Sequence, residues 1–196
     1  MAGRVSDVIV VGNGPSLQKA GKGALIDSHE PVIRLKKYDH FYKPGDYGTK
    51  CDYIAASAET ARIMLSNPHK PKEYWIYPKC FGTWSEARLG CFESYVVIGE
   101  YTEPWNEVFR QMVNYIGAGP KGRNFSIGLA AAITAMERFK PEELWLAGFD
   151  TVLHPEVPYV SMYNPHTRAD VHHLWEYENK LLYQVAEKNG TKLCEL

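Results

Sequence analysis

The stretch VIVVGNGPSLQKAGKGALIDSHEPVIRL, Val8 to Leu35, decides the fold. A β-branched run stops at Gly12-Asn13-Gly14-Pro15-Ser16. A short polar connection follows, and then a second apolar run through Val32 and Ile33 to Leu35. A strand buried on both faces of a parallel sheet reads as a continuous apolar run, without polar alternation. Glycines at its carboxyl end let backbone approach a ligand closely. Ligands of open α/β sheets bind outside the carboxyl ends of the strands. This opening therefore predicts a nucleotide or phosphate site on an α/β sheet.

Outward from it, apolar runs predict strands at Asp7–Val11, Pro31–Leu35, Tyr53–Ala56, Tyr74–Tyr77, Tyr95–Ile98, Leu144–Gly148 and Lys192–Glu195. Helical patterns lie at Ala58–Leu65, Trp105–Ile116, Ile127–Phe139 and Ala169–Lys188. The alternation implies an α/β class: one Rossmann-like domain over residues 1–196, with a mostly parallel twisted sheet and helices on both faces. Ser126 is a natural N-cap for the helix from Ile127, and Pro141 stops that helix. Lys79 to Gly90 has no clear element. Thr151 to Arg168 carries Pro155, Pro158 and Pro165 without periodicity; a loop of that length in a compact domain is usually functional, so residues 151–168 read as a lid.

Composition narrows the function classes. The chain has 196 residues, 45% hydrophobic and 23% charged, as expected of a globular chain with a sizeable core. A formal net charge of −1 gives no nucleic-acid or anionic-membrane surface. No apolar stretch approaches the roughly 20 residues that span a bilayer, and the N-terminus has no signal-peptide pattern. Cys51, Cys80, Cys91 and Cys194 form no CxxC pair or zinc spacing, which suggests reduced thiols in a cytoplasmic protein. Aromatic content is high at 13%, and rings with a polar handle suit sugar or base recognition as well as cores. Aromatics near Trp75–Trp84 are candidates for a homo-oligomeric interface.

Four segments converge if the sheet is wound this way: Gly12–Ser16, Arg123–Gly128, Gly148–Asp150, and the helix holding His173. GNGPS lacks the GK[ST] of a phosphate-binding P-loop, and Leu17 stands where the third glycine of a dinucleotide fingerprint would be. It fits either a ligand loop, with Gly12, Asn13, Gly14 and Ser16 as contacts, or a tight turn without a ligand. RNFSIG opens a helix, where unpaired N–H groups and the macrodipole favour an anion. Arg123 adds a cationic fork, and Asn124, Ser126 and Gly128 lie beside it. Simple capping by Ser126 explains the same residues. His172 and Glu176 are four apart on one helical face, suited to a metal or a surface pair; no HExxH is present, and no DxD to hold a divalent ion against a diphosphate. A histidine, whose ordinary pKa lies near neutral, suits general-base work, which makes His173 a candidate base.

The blocks also resemble the sialyltransferases. Gly12-Asn13, Ile26-Asp27-Ser28-His29, Val32-Ile33-Arg34 and Asp46-Tyr47-Gly48-Thr49-Lys50 look like the large sialyl motif of the animal enzymes, and VIVVGNGPSL looks closer still to bacterial lipooligosaccharide sialyltransferases. FSIGLAAAITAMERFKPEELWLAGFD resembles the small motif, and His173 to Glu178 the family's His-x4-Glu motif. Three blocks in family order span roughly half the chain. The resemblance implies a GT-A-variant fold and metal-independent transfer from a CMP-sugar, CMP-sialic acid in the family, to a glycan hydroxyl. His173 would be the base, and the lid tyrosines Tyr159 and Tyr163 would steady the departing phosphate. Asn13, Arg34, Lys36, Ser126, Gly128 and Asp150 would serve the donor. Lys36 stands where bacterial members have Asn, and Ile127 where relatives have a hydroxyl residue. The alternatives are another nucleotide donor on the same scaffold, a hydrolase, or a non-catalytic nucleotide- or glycan-binding module.

Overall fold

The computed structural model describes residues 5–36, 43–66, 70–77, 91–98, 125–157 and 175–196. Seven strands form one all-parallel sheet: β1 (Asp7–Val11), β2 (Val32–Leu35), β3 (Tyr53–Ser57), β4 (Glu73–Tyr77), β5 (Tyr95–Val97), β6 (Glu143–Ala147) and β7 (Lys192–Glu195). Their spatial order is β5-β4-β3-β2-β1-β6-β7. All seven predicted strands are present, with ends shifted by a residue or so. The described helices are α1 (Gly23–Ser28), α2 (Pro44–Tyr47), α3 (Ala58–Met64), α4 (Ile127–Phe139), α5 (Asp150–Leu153) and α6 (Trp175–Asn189). The predicted helix at Trp105–Ile116 lies outside the described residues.

Both faces of the sheet are covered, which is why β1 is apolar throughout. Val8 and Val10 join Ile33 and Leu35 under α4 and α6, where Leu129, Ile133, Leu181 and Leu182 pack. Ile9, Val11 and Val32 face the other way, onto Leu17, Ile26 of α1 and Tyr47 of α2. On the same side Ile54, Ala56 and Ile76 meet Ala61 and Met64 of α3. Successive residues of a strand point to opposite faces, so one run of sequence feeds two cores.

α4 follows from its sequence. The Ser126 Oγ accepts the Leu129 N–H (3.1 Å), a cap worth about 1 kcal/mol. Buried Ala130, Ala131, Ala132 and Ala135 bring the helix close to the sheet. Lys140 turns left-handed (φ 47°, ψ 52°) before Pro141, which ends it. Trp75 is fully buried, which corrects its assignment to an exposed aromatic interface. β4 is an inner strand. Phe139 stacks on Trp75, Arg138 lies over its ring, and the indole N–H donates to Glu73 (2.9 Å). Residues 78–84 of that segment lie outside the described residues.

At the amino ends of the strands, Asp52 ties three of them together. Its carboxylate accepts the Val32 N–H (2.9 Å) and faces the Lys72 ammonium at 2.8 Å. Burial pushes the carboxyl up, but Lys72 and the Val32 N–H outweigh it and hold it below its ordinary 3.8. The folded-state value lies below the unfolded one, so the stabilisation is full above 3.8 and fades as pH falls through the folded value. Replacing Lys72 by methionine removes much of the downward pull. In urea unfolding, the wild type's advantage over this variant is expected to be full near about pH 6 and to shrink below about pH 4. An advantage independent of pH would contradict this account.

Candidate functional site

The chain runs β1 to β5 in one direction and then returns to lay β6 on the far side of β1. The strand order reverses between β1 and β6, and crevices for ligands open at the carboxyl side of such switch points. The loops there are GNGPS after β1 and Gly148-Phe149-Asp150 after β6.

The two loops are knitted together. The Gly12 N–H donates to the Ala147 carbonyl (2.7 Å) and the Gly14 N–H to the Gly148 carbonyl (2.9 Å). Asp150 accepts both the Ser16 N–H (3.0 Å) and the Ser16 hydroxyl (2.5 Å). The glycines are dictated by this approach: a Cβ on Gly12 would stand 2.4 Å from the Gly148 oxygen, and one on Gly14 2.6 Å from the Asp150 carboxylate. Gly148 itself has φ +66°. Hence the N–H groups of Gly12, Gly14 and Ser16 point to β6. The loop does not present them as a phosphate cradle. Asn13 sits half-buried between the anchored glycines.

The amino end of α4 meets the same place. A Cβ on Gly128 would touch the Phe149 ring at 3.1 Å, as would one on Gly12 from the other side. Phe149, buried itself, is therefore the wedge where the β1 loop and the start of α4 converge. Leu35 also lies against Gly128, with Lys36 next along the chain.

Glu178 of α6 completes this end. It is 1% exposed, and its two carboxylate oxygens accept the Ser126 N–H (2.9 Å) and the Ser126 hydroxyl (2.5 Å). An anion at a helix N-terminus is favoured by the dipole, so α6 is strapped to the start of α4. Among the described residues, the first-turn N–H groups of Ile127 and Gly128 have no acceptor. Glu178 shares a helical face with Leu181, Leu182 and Val185, at spacings of three, four and seven. A carboxylate on an apolar stripe is the sequence's signal of a buried partner, and Glu178 is also the glutamate of the stretch that resembles the His-x4-Glu motif.

Arg34 is placed elsewhere. It is fully buried on the α1–α2 side of the sheet, where its Nε–H donates to the Lys50 carbonyl (2.6 Å) and its Nη2 faces Asp27 at 3.4 Å. Asp27 also accepts the Thr49 N–H (2.8 Å) and the Lys50 N–H (2.9 Å). His29 Nδ1 lies 2.6 Å from the Asp7 carboxylate, and its ring packs on Trp145. These residues of the first motif form an internal polar network. Lys36, at the carboxyl end of β2, is half-buried with φ +56°, and its N–H donates to the Ala55 carbonyl (2.9 Å). A left-handed non-glycine residue costs roughly 1–2 kcal/mol, and such strain concentrates at functional sites.

The structure thus brings Gly12, Asn13, Gly14, Ser16, Ser126, Gly128 and Asp150 to one edge, with Lys36 beside them and Arg34 beneath the sheet. Arg123, Asn124, Tyr159, Tyr163 and His173 lie outside the described residues. Of residues 151–168, Thr151–Leu153 belong to α5, and 158–168 lie outside the described residues. Among the described residues no helix is long and apolar enough to cross a membrane.

No protein-family model matches this chain. No curated protein matches it by sequence. Solved structures do. A mammalian sialyltransferase in complex with Gal-β-1-3GalNAc-ortho-nitrophenol aligns with a TM-score of 0.58 at 16% identity, covering 97% of this chain and 69% of that one. A second crystal structure of a mammalian sialyltransferase gives 0.55 at 16% identity, with the same coverages. The fold of this chain is that of the sialyltransferases.

Proposed function

We propose that the protein is a glycosyltransferase of the sialyltransferase type. It moves a sugar from a CMP-sugar donor, CMP-sialic acid by family resemblance, to a hydroxyl of a glycan acceptor. The observation that carries this reading is the convergence on Phe149 of the β1 loop and the start of α4, with α6 strapped to that start through Glu178 and Ser126. Those are the three segments whose motifs resemble the family's.

In this reading the imidazole of His173 takes the acceptor hydroxyl proton. The hydroxyl oxygen bonds to the anomeric carbon as the bond from that carbon to the phosphate oxygen breaks, and CMP leaves with the electron pair. Tyr159 and Tyr163, with Arg123, donate to the phosphate as its charge grows, so no metal or other cofactor is called upon. Asn13, Asn124, Ser126, Gly128 and Lys36 contact the donor. Asp150, Ser16 and Arg34 shape the cleft without needing to touch it. The protein works in the cytoplasm.

Calorimetric titration with cytidine and uridine nucleotides tests the donor. CMP is expected to bind more tightly than UMP or UDP. A preference for a uridine diphosphate would favour a different donor on the same scaffold, a reading to which the strained, cationic Lys36 lends some support. Failure of every nucleotide to bind would sink the transferase reading.

A further inference from the structure

We propose that Asp150 is a positioning residue, a latch that holds the GNGPS loop closed on β6 so that the crevice stands preformed before a nucleotide arrives. The inference takes its ligand from the transferase reading above, but its physical basis is independent of it. Ser16 and Asp150 lie 134 positions apart in sequence and make two hydrogen bonds. Together with the Gly12 and Gly14 bonds to Ala147 and Gly148, they form a ladder of four contacts between loops that continue two adjacent parallel strands. The first two rungs are backbone to backbone, so any residue at position 150 could leave them intact. The terminal rung is the side chain of Asp150, and nothing else among the contacts of the described residues ties Ser16 to the β6 side. The pocket left for Asp150 is tight: the absence of a Cβ on Gly14 is what admits the carboxylate.

The consequence is conformational. Without its terminal rung the loop samples open states, and apparent affinity falls by the fraction of molecules that remain closed. Hydrogen bonds to a carboxylate are the stronger kind, so losing two of them opens the loop by at least about tenfold. The chemistry itself, at the anomeric carbon, is not touched by Asp150. KM should therefore change and kcat should not.

The experiment compares wild type with Asp150→Ala, Asp150→Asn, Ser16→Ala and the Ser16→Ala/Asp150→Ala double variant. Amide hydrogen exchange read by NMR reports the loop directly, without a ligand. In Asp150→Ala the Ser16 and Gly14 amides are expected to exchange at least about tenfold faster, while the Leu146 and Ala132 amides keep their protection. CMP affinity should fall, and KM for the sugar nucleotide rise in step, as far as the closed fraction falls, with kcat unchanged. Asp150→Asn should recover most of both losses, because its side-chain oxygen still accepts the Ser16 N–H and its NH2 can donate to the hydroxyl. The double variant should be no worse than Asp150→Ala alone, since both remove the same rung. Unchanged exchange at Ser16 and Gly14 in Asp150→Ala would overturn the latch. So would an Asn variant as impaired as the Ala variant, or loss of protection spread evenly through α4 and β6, which would make Asp150 a general packing residue. If wild type binds no CMP, the transferase reading fails while the exchange measurements still decide the latch.

Discussion

Replacing His173 by alanine is expected to lower sugar transfer by about 10²- to 10⁴-fold while nucleotide affinity stays within a factor of about three. The two halves of that expectation have different origins. A general base acts on the acceptor proton in the transition state and contributes little to holding the donor, so its removal appears in kcat. The donor is held, in this proposal, by the β1 loop and the start of α4, neither of which depends on an imidazole. Glu178 makes the substitution a clean one. The strap between Glu178 and Ser126 fixes α6 against α4 without using the side chain at position 173, so the helix keeps this anchor when the ring is gone. Transfer rates from single-turnover assays, set beside calorimetric affinities for CMP, separate the two effects. A variant that keeps full turnover removes His173 from the chemistry. One that loses nucleotide affinity as steeply as turnover makes it a binding residue instead.

The seven strands were legible because parallel strands buried on both faces leave continuous apolar runs, as in Val8–Val11 and Tyr74–Tyr77, and because short polar segments separate them. α1, α2 and α5 span only six, four and four residues. No 3.6-residue periodicity can establish itself over one turn or so, which is why GALIDS read as a polar connection and Thr151–Leu153 as the start of a loop. GNGPS was legible as a place and ambiguous in its use. Whether its N–H groups face a ligand or a neighbouring strand depends on β6, more than 130 residues away. The two roles of Gly12 are identical in sequence: a glycine admits a phosphate or the Gly148 carbonyl equally well. Arg34 shows the opposite difficulty. A cation at the end of an apolar run invites a ligand, but in a strand covered on both faces the side chain at that register enters the α1–α2 core, and its partner Asp27 lies seven residues upstream with no pattern to announce the pairing.

Replacing Asp27 by alanine is expected to cost about 3 kcal/mol of stability and to leave the nucleotide affinity of the folded protein nearly unchanged. The carboxylate faces a fully buried guanidinium at 3.4 Å and accepts the N–H groups of Thr49 and Lys50, so its loss removes an ionic partner of Arg34 and the acceptor of two backbone donors together. Gly48, at φ +70°, turns the chain closely over Asp27, so closely that a Cβ there would meet the carboxylate at 2.2 Å. Asp27→Asn should cost roughly half as much, because the amide oxygen still accepts one N–H while its NH2 is set against Arg34. Urea unfolding followed by tryptophan fluorescence measures the loss, and CMP titration under native conditions measures the affinity. The distinction bears on the whole first motif. If Asp27→Ala unfolds early yet binds CMP as wild type does, the Asp27–Arg34 network builds the platform from which β1 and β2 present their carboxyl ends. If stability holds and CMP binding collapses, that network belongs to the ligand, and the face of the sheet assigned to the site must be exchanged for the other.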